Sequence, residues 1–180
     1  MTAVSATLVP LSASKAEVHE IAAQAVKAFQ YEPGNDLEPI VESLGGKIRY
    51  EDPAYMAETD DGSIVIEAAS KFTITLSRET SKVRDRFTIA HELGHLILHY
   101  LPYYQGQEKP PSAKALRAGS GKLEWQANWF AAAFLMSEDA FQQAYRDRNE
   151  DLWAIADHFK VSLHAATIRA KELGLETHGW

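Results

Sequence analysis

The sequence contains no cysteine. A disulfide framework, a thiolate zinc site and a cysteine nucleophile are therefore excluded, and any metal site must use His, Asp or Glu. No apolar run approaches the ~20 residues that a membrane-spanning helix needs. The first fourteen residues lack the basic segment and the continuous apolar core of a signal peptide. We therefore expect a cytoplasmic protein that does not associate with membranes.

Basic residues are scarcer than acidic ones. The chain has 18 Lys and Arg against 25 Asp and Glu, which gives a net charge of −7. This balance argues against broad, non-specific binding of nucleic acid. Hydrophobic residues make up 46% of the 180 residues, as in a globular chain of one domain with a small appendage.

The hydrophobic pattern predicts helices first, then a small sheet, then more helices, which is typical of an α+β fold. Residues 101–122 contain several prolines and glycines and predict a long loop. We expect a mainly helical domain whose small sheet is mixed or antiparallel. The predicted helices cover residues 14–30, 82–100, 123–136 and 138–148, with two more within 151–173. A further short helix is predicted to start at a cap, Asn35 or Asp36, and to end at Leu44. The predicted strands cover residues 47–51, 62–67 and 72–77.

Residues 91–95 form an H-E-x-x-H motif. His91 and His95 share one face of a helix, where both imidazoles can reach one metal ion, and Glu92 is placed to act as a general base on a metal-activated water. Chance would produce this pattern roughly 0.02 times in a chain of this composition. The apolar residues of the helix lie on a separate face, so the motif predicts a metal site rather than buried core histidines.

The third ligand must come from elsewhere in the chain. The metzincin pattern requires a histidine at position 101, where this chain has Leu101, so that class is excluded. On a straight helix His99 lies about 12 Å from His91, too far to share the ion but within reach of substrate or of groups around the ligands. Glu124 begins a later helix and is the better candidate, although a first-turn glutamate can also serve the helix dipole alone. Asn128, one turn on, could bind the outer nitrogen of a ligating histidine.

Two segments together resemble the ImmA/IrrE family of bacterial metallopeptidases. They are R-F-T-I-A-H-E-L-G-H-L-I-L-H at residues 86–99 and E-x-x-A-N-x-F-A-A-x-x-L-M at residues 124–136. The resemblance extends from about residue 36 to residue 175. The family often has proline after the Leu-Met pair, whereas this chain has Ser137, a residue that favours the start of a helix.

The resemblance implies a zincin-like domain with a gluzincin-type zinc site. It implies His91, His95 and Glu124 as ligands and Glu92 as the base. Two histidines and a carboxylate suit Zn²⁺, and they also admit Mn²⁺ or Fe²⁺. Because several members of the family cleave a helix-turn-helix repressor, the resemblance also implies such a repressor as the protein partner.

The sequence divides into three regions: a flexible N-terminal tail at residues 1–13, a metallopeptidase domain at 14–150 and a C-terminal helical pair at 151–180. The pair has the spacing of a helix-turn-helix. From residue 138 to the end, however, eight side chains are acidic and five are basic. This balance favours packing on the same domain or docking of a partner over direct binding of DNA.

The predicted function is a zinc-dependent endopeptidase. Its substrate would lie extended along an edge of the sheet, with residues 72–77 as one possible edge. Tyr100, Tyr103 or Tyr104 could donate a hydrogen bond to the oxyanion, although tyrosines at a helix end more often serve packing. The alternative is a non-hydrolytic, partner-binding regulator whose metal is structural; Glu92 argues against it, since a structural site needs no base.

Overall fold

The computed structural model describes residues 5–52, 54, 63–116 and 121–175. Its helices and strands confirm the α+β fold, with helices before and after one sheet. The strands are β1 (Ser5–Ala6), β2 (Gly46–Glu51), β3 (Ser63–Ala68), β4 (Lys71–Ser77) and β5 (Ser112–Leu116). The helices are α1 (Lys15–Ala28), α2 (Glu38–Ser43), α3 (Lys82–Gly94), a π-helical segment (His95–Tyr100), α4 (Leu101–Tyr104), α5 (Lys122–Leu135), α6 (Glu138–Asp147), α7 (Leu152–Phe159) and α8 (Leu163–Glu172). Within these described ranges, no helix is both long and apolar enough to cross a bilayer.

The sheet is mixed, with the strand order β1-β5-β3-β4-β2. Strand β3 is antiparallel to both of its neighbours, whereas β2 runs parallel to β4 and β1 runs parallel to β5. The expectation that residues 72–77 form a sheet edge is wrong, because β4 lies between two strands: β2 pairs with it from Phe72 to Ser77, and β3 pairs with its other side. The hydroxyl side chains of Thr75 and Ser77 are accordingly buried rather than solvated.

A tight approach fixes the start of β2 against the turn between β3 and β4. Gly45 has φ of 81°, in the left-handed region, and a Cβ atom there would lie 2.1 Å from the carbonyl oxygen of Ser70. Glycine is the residue that accepts both conditions without strain. This contact aligns β2 with β4 before their ladder begins.

The segment between the two motif helices is not a plain loop. Within residues 101–122, helix α4 continues the π-helical segment and β5 pairs with β3, with Ile66 opposite Ala113. The sequence of β5 alternates, with Ala113 and Ala115 buried and Lys114 exposed, but alanine is depleted in strands, so its strand state depends on the neighbouring strands. The prediction of a continuous loop is wrong for residues 112–116.

The described part of the N-terminal region is attached to the domain. Strand β1 pairs with β5, with Ser5 opposite Ser112, and Leu8 is buried in the core. The backbone N–H of Leu11 donates to the Gln126 side chain on α5. Residues 5–13 of the segment expected to be a flexible tail therefore lie against the sheet and α5.

Four of the eight α-helices in the described ranges, α1, α3, α7 and α8, begin at a side chain that caps them. Ser14 and Glu17 form a reciprocal capping box at the start of α1. Helix α2 begins after Leu37, which provides no side-chain cap, so the predicted cap at Asn35 or Asp36 is wrong. Ser137 stands at the N-cap position of α6, but its side chain makes no capping hydrogen bond.

Helices α3 and α5 approach each other closely, and this contact brings the two sequence motifs together. A Cβ atom on Gly94 would lie 3.2 Å from the Cα atom of Ala127, which is tighter than ordinary van der Waals contact. Phe130 fills the adjacent space and is fully buried. Small residues at this crossing therefore set the distance between the His-bearing and Glu-bearing helices.

The C-terminal helices α7 and α8 share the core of the rest of the chain. The rings of Phe141 on α6 and Phe159 on α7 stack with centroids 5.6 Å apart. Arg169 on α8 is buried, and its Nε donates to the carbonyl oxygen of Met136 at 2.9 Å. This bond caps the end of α5 and ties α8 to it.

Candidate metal centre

Three side chains from two helices converge on one point. The Nε2 atoms of His91 and His95 lie 3.1 Å apart. Glu124 on α5 places Oε2 3.2 Å from Nε2 of His91 and Oε1 3.3 Å from Nε2 of His95. The three residues are the ones that the sequence nominated as ligands, and together they form a group able to hold a metal ion.

The donor set fits a zinc ion. Ligands that stand 2.0–2.1 Å from a tetrahedral Zn²⁺ are about 3.3 Å from one another. The two imidazole nitrogens are 3.1 Å apart, and each lies 3.2 or 3.3 Å from its nearer oxygen of the Glu124 carboxylate, so the separations are of that order. Two imidazoles and one carboxylate from a second helix also match the composition of catalytic zinc sites that keep a fourth position for water.

The surroundings keep the Glu124 carboxylate ionised. Its partial burial raises the pKa, but the hydrogen bonds and charges of His91 and His95 outweigh that effect and lower the pKa to about 2. A metal ligand must be deprotonated before it binds. Glu124 is therefore ready to coordinate across the whole neutral range.

Asn128 orients His91 from the other side of the ring. The Nδ1–H of His91 donates to Oδ1 of Asn128 at 2.9 Å. Because the amide oxygen only accepts, this bond places the proton of the neutral ring on Nδ1 and leaves the Nε2 lone pair available to a metal ion. Hydrogen bonds of this kind hold ligating histidines in the productive tautomer and orientation.

We expect Asn128→Ala to weaken zinc binding by roughly 10- to 100-fold, since His91 loses the group that orients its ring. Asn128→Asp keeps an acceptor oxygen at the same place and should retain most of the affinity. Competition with a coloured zinc chelator measures both variants. Equal affinity of the alanine variant and the wild type would show that Asn128 does not position His91.

His99 lies behind His95, away from the other two ligands. The Nδ1 atoms of His95 and His99 are 3.1 Å apart. His99 is fully buried, and this burial together with the neighbouring His95 lowers its pKa to about 4. Its imidazole is therefore neutral at pH 7 and serves as a hydrogen-bond partner for the outer nitrogen of His95.

The helix changes its winding where these histidines lie. Helix α3 ends at Gly94, and residues from His95 to Tyr100 are π-helical. π-Helical turns inside helices are rare and occur frequently at functional sites. The straight α-helix assumed for residues 82–100 is thus wrong beyond Gly94, but His99 still stands on the far side of His95.

Gln126 is the neighbour of the site that sequence reasoning missed. It is fully buried on α5, and its Oε1 accepts from Nε2 of His99 at 3.2 Å. A signal was present, because Gln126 stands on the same helix face as Phe130 and Ala133, which are both buried. A polar side chain on a buried face requires hydrogen-bond partners.

The candidate catalytic base and the three tyrosines differ in their surroundings. Glu92 follows His91 on α3 and is 1% exposed. The Tyr100 hydroxyl is fully buried and donates to the carbonyl oxygen of Pro111 at 2.9 Å, so it anchors the chain before β5. Tyr104 packs against the Tyr100 ring, and Tyr103 is 41% exposed. An oxyanion-binding role for Tyr103 or Tyr104 stays a prediction.

The chain is similar to known proteins in fold and in sequence family. A solved structure described as a Mycobacterium tuberculosis transcriptional regulator has a similar fold, with a TM-score of 0.62 and 15% sequence identity. The similarity covers 87% of this chain but 46% of that one, so the present chain spans less than half of that protein. No curated protein matches the sequence significantly. The family model described as the IrrE N-terminal-like domain matches residues 41–171, which include both motif helices. The chain therefore belongs to the IrrE N-terminal-like domain family of peptidases, and this membership confirms the resemblance to ImmA/IrrE proteins.

Proposed function

We propose that the protein is a zinc-dependent endopeptidase that hydrolyses a peptide bond in a protein substrate. One observation carries the proposal: His91, His95 and Glu124 converge at the spacing of zinc ligands, beside the buried Glu92. A zinc ion that only stabilised the fold would need no carboxylate next to the ligands. A family of peptidases supplies the reaction class.

Each residue of the site has a separate role in the proposed hydrolysis. When bound, Zn²⁺ supplies Lewis acidity that polarises the scissile carbonyl and lowers the pKa of a water molecule. Glu92 accepts the proton of the attacking water and then gives it to the leaving amine. Asn128 and His99 hold the imidazoles of His91 and His95 in the orientation that the ligands need.

Zinc is the metal we propose, with Mn²⁺ and Fe²⁺ as the alternatives. Two neutral imidazoles and one carboxylate form the ligand set of many zinc peptidases. The same donors also bind other first-row divalent ions, so availability in the cell contributes to the choice. Metal analysis of protein purified without added metal identifies the native ion.

We propose a helix-turn-helix repressor as the substrate and the cytoplasm as the place where the two proteins meet. The support for this partner is the resemblance of the two motifs to a family whose members cleave such repressors. Charge is consistent with it: this chain carries a net charge of −7, whereas DNA-binding domains are basic. Opposite net charges accelerate the association of two proteins at low ionic strength.

Cleavage of candidate repressors, followed by intact mass, tests the proposal. We expect one or a few defined cuts with the zinc-loaded protein, loss of cleavage when a chelator removes the metal, and recovery when zinc is restored. A library of unstructured peptides is incubated in parallel. Cleavage of peptides but of no repressor would reject the substrate class alone, whereas cleavage that persists without metal would reject the mechanism.

A further inference from the structure

A continuous line of hydrogen bonds, buried between its side chains and partly buried at its N-terminal end, leads from the metal centre to the N-terminal segment. It passes from Nδ1 of His95 to Nδ1 of His99 over 3.1 Å, and from Nε2 of His99 to Oε1 of Gln126 over 3.2 Å. The Gln126 amide then binds the backbone of Leu11 and Ala13. The side chains of His95, His99 and Gln126 are at most 1% exposed, so water does not compete for the bonds between them, whereas the bonds to the Leu11 and Ala13 backbone are partly buried.

The chemistry of the groups determines which atom donates in each hydrogen bond of the line. Nε2 of His95 faces the other ligands, so its lone pair is required there and its proton must be on Nδ1. This Nδ1–H donates to Nδ1 of His99, which must therefore accept. A ring that accepts on Nδ1 carries its proton on Nε2, so His99 donates from Nε2 to the carbonyl oxygen of Gln126.

The N-terminal segment determines which way the Gln126 amide points. Its Oε1 accepts the backbone N–H of Leu11 at 2.9 Å, and its Nε2 donates to the carbonyl oxygens of Leu11 and Ala13 at 2.9 and 3.2 Å. A flipped amide would place its NH₂ group against two donors and its oxygen against two acceptors. The backbone of residues 11–13 therefore fixes the acceptor that His99 requires.

We propose that Gln126 is a positioning residue of the metal centre, which fixes the tautomers of His99 and His95 and couples the N-terminal segment to metal binding. This inference rests on the proposed metal centre but not on peptidase activity. It assigns the N-terminal segment a role at a distant site, since the nearest ligand in the sequence, His91, follows Ala13 by more than 75 residues. The coupling must be reciprocal: a segment that supports zinc binding is itself held more firmly when zinc is bound.

Gln126→Met tests the proposal, because methionine keeps the length and volume of glutamine but neither accepts from His99 nor donates to the backbone. We expect zinc affinity to fall about 10-fold, the low end of the effect of removing partners of ligating residues. Gln142→Met on α6 is the matched control, since the Gln142 amide donates to Glu138 on its own helix. The affinities are measured by chelator competition, without any activity assay.

Two further measurements separate positioning from mere packing. Nitrogen-15 NMR of the zinc-loaded wild type should show His95 protonated on Nδ1 and His99 protonated on Nε2. Zinc should slow hydrogen exchange of the Leu11 amide in the wild type and in Gln142→Met, but much less in Gln126→Met. A His99 ring protonated on Nδ1, or equal zinc affinity of the two methionine variants, would overturn the proposal.

A pair of variants at His99 provides a test that does not depend on how well Gln126→Met folds. A glutamine at this position can accept from His95 through its oxygen and donate to Gln126 through its nitrogen, so His99→Gln should keep zinc affinity within a few-fold of the wild type. His99→Leu can do neither and should lose roughly 10- to 100-fold. Equal affinities of these two variants would contradict the hydrogen-bond line. If the wild type bound no zinc, both the proposed metal centre and this inference would be rejected. If the wild type bound zinc strongly and the variants bound it equally well, only this inference would be rejected.

Discussion

Replacing Glu92 with glutamine is expected to reduce peptide hydrolysis by about 10²- to 10⁴-fold, the usual contribution of a positioned general acid–base group. The amide has nearly the same shape but cannot accept the proton of the attacking water. Glu92 is not among the three converging ligands, so zinc content should be unchanged. The melting temperature should hold or rise slightly, because the substitution exchanges a buried carboxylate for a neutral group.

Steady-state kinetics on a cleaved peptide, with zinc content measured on the same sample, decide this prediction. Glu42→Gln on the exposed surface of α2 is the control for the chemical change alone, and its rate should equal that of the wild type. A Glu92→Gln variant that holds a full equivalent of zinc and cleaves at the wild-type rate would show that another group acts as the base.

Replacing Glu124 with alanine should remove most of the zinc and abolish activity. Zinc bound by four protein ligands in small domains gains about 10–16 kcal/mol, so each ligand contributes roughly 3 kcal/mol, or more than a hundredfold in affinity. Glu124 reaches both histidines, at 3.2 and 3.3 Å, and, against the effect of its partial burial, the hydrogen bonds and charges of these histidines lower the pKa of its carboxyl to about 2, so it is ionised at neutral pH. The variant should therefore lose zinc during dialysis, and added zinc should no longer raise its melting temperature.

Metal analysis of dialysed protein checks this result against two other variants. Glu20→Ala removes a carboxylate from the exposed face of α1 and should retain zinc like the wild type. His99→Ala should weaken zinc binding only to the degree expected of a positioning residue, so it should keep more metal than Glu124→Ala. Full zinc in the Glu124 variant, together with loss in the His99 variant, would reverse the two assignments.

Local sequence patterns were sufficient for the features that depend on neighbours a few residues apart. Spacing of three and four residues predicted α1, α3 and α5–α8, alternation predicted β4, and a short apolar run predicted most of β3. The H-E-x-x-H motif needs one helix to bring His91 and His95 together, and the structure places their Nε2 atoms 3.1 Å apart. Glu124 could be nominated because it begins a second helix with a small residue, Ala131, farther along the same stripe.

Features that depend on distant segments were decided by the tertiary structure. The alternating alanines of residues 112–116 have too weak a strand preference to specify a strand, and the segment becomes β5 because β3 and β1 offer hydrogen-bonding edges on both sides. Likewise, the alternating face of β4 looks the same at an edge as in the interior. The parallel pairing with β2, residues 46–51, makes it an interior strand.

The sequence by itself therefore determined the helices, the motif and the residue types of the ligands, since these follow from contacts within one or two helical turns. The tertiary structure alone decided how they meet. The close crossing at Gly94 and Ala127 carries Glu124 to the two histidines, and the N-terminal backbone at Leu11 reaches Gln126, 115 positions away. Such contacts arise from the packing of whole elements, and a short-range pattern of apolar and polar residues does not encode which element will be the neighbour.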